Sequence, residues 1–323
     1  VWQRSKPVDD SIKLGISTCL LGENVRYDGG HKLDHYLKDT LGKFVQWVPV
    51  CPEVECGLPV PREAMRLVGD PDSPRLITAR TGIDHTERMT LWAQKKLDEL
   101  SHHKLCGFIF KSRSPSSGMS RVKVYGSSSS PRNKGVGIFA RAFMERYPFV
   151  PVEDDGRLHD PKLRENFIER IFVFKRWQLF SAQNPTTGGL VDFHTAHKLM
   201  IMAHSPNNLN ILGKLVAHVK DYRAQDMYNE YMHILMKALR LIATVKKNVN
   251  VLHHIMGYFK KLISSDEKQE LLEVINNYHE GFVPLIVPVV LMQHYIRKYD
   301  EPYLKKQHYL NPHSVELMLR NHV

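Results

Sequence analysis

Residues 14–22 read Leu14-Gly15-Ile16-Ser17-Thr18-Cys19-Leu20-Leu21-Gly22, a short apolar run that breaks into a hydroxyl pair and a cysteine. The same grammar recurs twice. Residues 44–50 run apolar into Cys51-Pro52-Glu53-Val54-Glu55-Cys56-Gly57, and residues 107–110 run into Lys111-Ser112-Arg113-Ser114-Pro115-Ser116-Ser117-Gly118. Between them lie stretches with helical spacing. Leu91, Leu97 and Leu100 predict a helix over 87–102, and a further helix is expected over 138–146, before an apolar run at 149–152. Strands alternating with helices predict βαβ units, hence an α/β Rossmann-like amino-terminal domain with a mainly parallel sheet. In an open α/β sheet the loops leaving the carboxyl ends of the strands gather at one edge, and ligands bind there. The three chemically unusual loops are therefore expected to meet.

The rest of the chain has a different grammar. From about residue 163 it reads as helices over 166–180, 191–203, 208–219, 227–245, 249–262, 267–278 and 285–299. Ser205-Pro206 and Ser265-Asp266 mark helix starts, while Gly281 and Pro302 mark stops. The Pro/Thr/Gly-rich segment 184–189 reads as a linker, giving a catalytic domain over 1–180 and an all-α domain over 185–323. The only low-complexity stretch is the serine run 127–130.

Composition bounds the function classes. With 323 residues, 42% hydrophobic and 24% charged, the chain is an ordinary globular protein large enough for two cores. Its longest apolar stretch, 282–292, is interrupted by Pro284 and Pro288, so no membrane span is expected. Residues 1–7 have no apolar core of the signal-peptide kind, and a cytoplasmic protein is expected. The net charge of +11 is shared by both halves, but one stretch stands out. Nine basic residues and a single acid, Glu145, lie between Lys104 and Arg146. That is the electrostatic footprint for a polyanion, or else a solvated basic surface.

All four cysteines (Cys19, Cys51, Cys56 and Cys106) fall in the first third of the chain. This clustering points to a metal or redox site. No Cys-x2-Cys pair is present, so a zinc-finger module is excluded. Isolated cysteines at loop ends suit a site assembled by the fold, either an iron–sulfur cluster or a zinc with one open position. Glu53, in a rigid turn beside Cys51, could serve as acid or base. No motif places a histidine beside a cysteine, so a nucleophilic thiolate ranks third.

Three motifs carry a resemblance. Ser17-Thr18-Cys19-Leu20-Leu21-Gly22 with Val25-Arg26-Tyr27-Asp28-Gly29 is the first. Val48-Pro49-Val50-Cys51-Pro52-Glu53 with Gly57-Leu58-Pro59-Val60-Pro61-Arg62 is the second, and Lys111-Ser112-Arg113-Ser114-Pro115-Ser116-Ser117-Gly118 the third. In this order over residues 13–152 they resemble the thiouracil desulfurase (TudS) family. Phe193-His194, His197-Lys198-Leu199 and Ala203-His204-Ser205-Pro206 are similar to the helical domain of YbgA type commonly fused to it. The resemblance implies a 4Fe–4S cluster held by three cysteines, with the fourth iron open to the sulfur of a thiolated uracil. It further implies conversion of thiouridine to uridine and sulfide without redox change, with Glu53 activating water and Ser114 hydrogen-bonding the substrate. The expected substrate is 4-thiouridine in tRNA, with no obligatory protein partner. Free thiouracil or thio-UMP is the alternative substrate, and a non-catalytic RNA-binding iron–sulfur protein or a zinc-dependent hydrolase the alternative class.

The chain departs from the family at one position. The third motif commonly reads Ser-Pro-Ser-Cys-Gly, its cysteine being a cluster ligand, and here that position is Ser117. Cys106, at the amino end of the 107–110 strand, would sit more than ~13 Å from the Ser114 loop and reads as a core residue. The expected ligands are Cys19, Cys51 and Cys56, with Ser117 as a minor alternative. Arg26, Tyr27 and Arg62 are candidate phosphate or substrate contacts beyond a simple Asp-Gly turn. Lys111, Arg113, Ser116 and Ser117 are candidates from the same loop as Ser114. Arg121, Lys123, Arg132 and Lys134 line a path for RNA backbone or are merely solvated. Twelve of the eighteen histidines lie in the helical domain. Among them His194, His197, His204, His253 and His254 read as polar helix residues or RNA contacts rather than metal ligands. Lys246-Lys247 and Lys260-Lys261 are candidate phosphate contacts.

Overall fold

A computed structural model describes residues 11–126, 132–183, 186–219, 223–314, 317 and 319–322. Residues 1–7, the serine run 127–130 and the first two residues of the expected linker lie outside the described residues. The chain forms two compact units that divide between His159 and Asp160.

The first unit contains, in chain order, β1 (Ile12–Ser17), β2 (Val45–Val50), α1 (Pro52–Glu55), β3 (Met65–Val68), β4 (Arg75–Thr78), α2 (Thr86–Ser101), β5 (Gly107–Phe110), β6 (Val122–Tyr125), β7 (Arg132–Gly135), α3 (Ile138–Arg146) and β8 (Val152–Asp154). Its main sheet has the order β2-β1-β5-β8 and is parallel throughout. The register aligns the strand ends. Ser17 pairs with Val50 and Ile16 with Ile109, so β1, β2 and β5 end level with one another. The chains leaving them therefore emerge at one edge, as the alternation of strands and helices predicts. Beneath the sheet, Phe108, Phe110, Phe139 and Phe143 form an aromatic core with Ala93, Leu97 and Leu100 of α2.

A second sheet was not anticipated. Its order is β4-β3-β6-β7, with β3 parallel to β6 and the outer pairs antiparallel. Each strand is only four residues long. Leu67, Leu76, Val122 and Val124 face inward, and charged residues alternate with them, so periodicity over so short a window is weak.

The second unit comprises α4 (Pro161–Ala182), α5 (Thr187–His204), α6 (Pro206–Ala217), α7 (Ala224–Leu239), α8 (Val245–Tyr258), α9 (Ser265–His279), α10 (Ile286–Lys298) and α11 (Pro302–Lys305). It begins earlier than the linker reading placed it. Asp160 caps α4 by accepting from the Lys162 and Leu163 amides, and Pro161 occupies the first turn, so the break falls before this helix. The helix expected over 227–245 ends at Leu239, and the one expected over 249–262 begins at Val245, so the break falls earlier than the sequence reading placed it. Asn166 Nδ2 donates to the carbonyls of Leu239 and Leu241, and Lys247 Nζ donates to those of His204 and Ile242, which fixes the interruption between α7 and α8. Ser264, not Ser265, caps α9 in a full capping box with Glu267.

Several helical-unit residues have roles the sequence reading did not give them. His194, His197 and His204 are buried, so none is an RNA contact. His204 Nε2 pairs with Glu169 at 3.0 Å, and Arg320 bridges Glu169 and Glu165 at 2.8 and 3.2 Å, forming a buried ion network. Lys247 is likewise committed to the α7–α8 break rather than free for phosphate. Among the described residues no helix is long and apolar enough to cross a membrane.

Candidate active site

The edge where β1, β2 and β5 end opens into a cavity of about 430 Å³. Three loops build it, and each is held by its own hydrogen bonds. Cys19 lies in a short 3-10 turn (Thr18–Leu21) directly after β1, and its carbonyl accepts from the Lys32 amide at 2.8 Å. Cys51 is the N-cap of α1, its amide donating to Glu55 Oε1 at 2.8 Å while Pro52 starts the helix. Glu53, one residue into that turn, is thereby carried to the cavity wall.

The serine loop is fixed by the helix behind it. Carbonyls of Pro115 and Ser116 accept from the Ile138, Phe139 and Ala140 amides, supplying partners to the exposed first turn of α3. Gly118 and Gly137 make that docking possible. A Cβ on Gly137 would lie 2.5 Å from the Ser116 carbonyl carbon, and one on Gly118 would lie 2.7 Å from the Ser114 carbonyl oxygen. Within the loop, Ser114 Oγ accepts from the Ser117 amide at 3.1 Å and meets Ser116 Oγ at 3.0 Å. Ser116 Oγ donates in turn to Glu53 Oε1. That leaves Glu53 Oε2 with only long contacts, to Cys51 Sγ at 3.7 Å and to Arg62 Nη2 at 3.8 Å.

The cavity is cationic. Arg26, Arg62, Lys111 and Arg113 line it with Tyr27. Arg62 is nearly buried, and its Nη2 donates to the Val25 carbonyl at 3.1 Å, tying its loop to the Arg26 loop. Lys111 pairs with Asp155 at 2.8 Å, and its amide donates to Ser17 Oγ. Burial raises both cavity thiols above the ordinary thiol range. Burial pushes Cys19 up to about 11 against the opposing charge of Lys111, and burial together with Glu53 pushes Cys51 up to about 12. A bare nucleophilic thiolate is therefore disfavoured.

Both units resemble known proteins. The family model for 2-thiouracil desulfurase matches residues 14–155, and that for a protein family of unknown function, DUF1722, matches 198–314. The uncharacterized protein YbgA of Escherichia coli (strain K12) is 33% identical over 141 residues, which span 43% of this chain and 83% of the relative. The chain belongs to the YbgA family and carries a 2-thiouracil desulfurase domain. A solved structure titled as a [4Fe-4S]-dependent thiouracil desulfidase, TudS, shares 28% identity over 46% of this chain and 93% of its own, with a TM-score of 0.39.

The desulfurase domain brings most of the residues singled out from sequence to one place. Cys19, Arg26, Tyr27, Cys51, Glu53, Arg62, Lys111, Arg113, Ser114 and Ser117 all line the cavity, and Ser116 stands behind them bonded to Glu53. Cys56 does not line it. Its thiol donates to the Glu53 carbonyl at 3.2 Å, and its side chain packs against the Leu67–Leu76 cluster of the second sheet. Cys106 is buried before β5, its amide donating to the Lys13 carbonyl at the opposite edge. The cavity thus offers two thiols, the Glu53 carboxylate and several hydroxyls, those of Ser114 and Ser117 among them. Two soft sulfur donors with hydroxyls beside them, in a wall of guanidinium and ammonium groups that offsets anionic charge, fit an iron–sulfur group better than a hard cation. Asp155 was not anticipated. It directly follows β8, so the rule that pointed to the other loops also reaches this one.

Proposed function

We propose that this chain is a cytoplasmic desulfidase that converts 4-thiouridine in RNA, tRNA in the first instance, to uridine and sulfide. The observation that carries this reading is the convergence of Cys19, Cys51, Glu53 and the serine loop on one cationic cavity in a desulfurase domain. The reaction exchanges a carbon–sulfur double bond for a carbon–oxygen one, consumes one water and releases hydrogen sulfide, with no net oxidation. Cys19 and Cys51 would hold a 4Fe–4S cluster, with Ser117 Oγ as the third protein donor. When bound, that cluster supplies a Lewis-acidic iron that polarises the thiocarbonyl.

The remaining work belongs to side chains. Glu53 Oε1 is occupied by Ser116, so Oε2 is the oxygen free to take a proton from the attacking water. Ser116 holds that carboxylate, Ser114 Oγ braces Ser116, and Ser114 would offer a hydroxyl to the nucleobase. Arg26 and Arg62, on loops tied together by the Arg62 amide donating to the Tyr27 carbonyl, are placed for the phosphate of the target nucleotide. The helical unit would help hold the RNA through exposed residues such as Lys246, Lys260 and Lys261.

Protein purified without oxygen should contain iron and sulfide and release sulfide from thiolated tRNA. Glu53→Gln should keep the metal content and lose about 10²–10⁴-fold in rate. Stoichiometric zinc without iron, or full activity in Glu53→Gln, would overturn the mechanism.

A further inference from the structure

Beside the catalytic cavity lies a second groove, of about 550 Å³, on the outer face of the β3–β6 pair. The two share Met65, Arg113 and Pro115 as walls, so the groove continues from the site where the thiolated base would be held. Its lining is one-sided in charge. Arg66, Arg113, Arg121 and Lys123 contribute four cations, and no aspartate or glutamate lines it. None of the four is ion-paired to a carboxylate among the described residues. Four like charges within one groove repel one another, and nothing in the fold of the sheet requires them. Leu67 and Val122 also border the groove, and with Val124 they form the apolar core of this sheet.

One of these charges is held in place. Arg66 stands over the Tyr125 ring, 5.2 Å from its centroid, and its Nε is buried without a partner. Arg113 and Arg121 flank the serine loop in left-handed backbone conformations, at φ 60° and 54°. Side chains other than glycine adopt that region at a cost.

We propose that this groove binds the phosphodiester backbone of the RNA strand next to the thiolated nucleotide. The occupant follows from charge and continuity. A row of cations with an aromatic beside it, leading out of a base-sized cavity, matches a single strand whose phosphates repeat along its length. A free base or mononucleotide fills the cavity alone and leaves the groove unused. This inference rests on the proposed desulfidase reading and adds the surface that holds the strand flanking the target nucleotide.

The test compares the full chain with Arg121→Gln/Lys123→Gln. Both residues are exposed and lie outside the catalytic cavity, so the fold and basal chemistry are expected to stand. Affinity for a single-stranded RNA oligonucleotide is measured against salt, and kinetics are measured on that oligonucleotide carrying one 4-thiouridine and on 4-thiouridine monophosphate. Losing two phosphate contacts should lower the slope of log affinity against log salt by about 1.4. KM for the thiolated RNA should rise at least tenfold, while kcat/KM for the monophosphate stays within twofold. An unchanged salt slope in the variant overturns the groove assignment whether or not the protein is active. Equal losses on RNA and monophosphate overturn it too, by showing damage to the cavity. Failure of the wild-type chain to release sulfide from either substrate instead removes the desulfidase reading, and the binding measurement still decides the groove.

Discussion

Ser117 is where a single atom decides the character of the site. It lines the cavity with Cys19 and Cys51, on a loop pinned to the start of α3, and it presents an oxygen where a thiolate would bind iron more strongly. Ser117→Cys should therefore raise the iron and sulfide content of anaerobically prepared protein and slow cluster loss in air, both read by visible absorption. Unchanged iron and unchanged decay would show that position 117 donates nothing. Cys56→Ala should leave both quantities alone, because that thiol bonds to the Glu53 carbonyl and faces the second sheet. Most of the cavity was legible because cysteine, glutamate and serine at strand ends are conspicuous residues in conspicuous places. The direction of Cys56 was legible in principle. At about 100° per residue, five positions through a helical turn carry it some 140° round from Cys51. Taken as one loop, the two cysteines look equivalent, and only the turn between them sets them apart.

At the scale of elements, the serine loop depends on how closely α3 approaches it. Gly137 has ordinary extended backbone, φ −61° and ψ 147°, so alanine there is not strained in itself. The added Cβ would meet Ser116 carbonyl atoms at 2.5 Å and the Ser117 amide at 2.8 Å, and the loop must move. Gly137→Ala is expected to cost about 10²-fold in kcat, the scale of an ångström of misplacement at a reacting centre. Gly213→Ala is the matched control. It has open space around its Cβ in the interior of α6, should stabilise that helix by up to ~1 kcal/mol, and should leave kcat unchanged. Equal kcat in the two variants would show that the loop is not positioned by α3. The elements of the main sheet were readable because parallel strands are buried on both faces and stand out as continuous apolar runs. The second sheet escaped notice because its strands are short, half-exposed and broken by the cations that line its groove. The place of the α7–α8 interruption was equally hidden, since Asn166, which helps to fix it, acts from another part of the chain.

The whole molecule is two units with separate cores, and the helical one carries an acid sensitivity that the catalytic one lacks. Four of its histidines are held below their ordinary range by burial. His194 and His308 are each lowered to about 4, His197, fully buried beside His308, Arg176 and His194, is lowered well below its ordinary value, and His313 is lowered too. His197 Nδ1 donates to the Phe193 carbonyl at 2.7 Å, and its Nε2 has no partner, so a second proton would be buried among positive neighbours. In the unfolded chain each would titrate near 6.5. Between pH 7 and 5 the unfolded state therefore binds protons that the native state refuses, and stability falls as pH falls. Each histidine contributes at most ~1.4 kcal/mol per pH unit. Ordinary carboxylates protonate below this window and add little to it. Scanning calorimetry on the full chain should show the helical-unit transition, identified by its downward shift in Ser264→Ala, moving to lower temperature from pH 7 to pH 5. The desulfurase-domain transition should move far less. His197→Asn keeps a side-chain donor for the Phe193 carbonyl and removes one of four titrating groups, so the pH slope of the helical transition should drop by about a quarter. A helical transition insensitive to pH over this range, or a slope unaltered by His197→Asn, would show that these rings are protonated in the folded protein and that the buried cluster has found an anionic partner.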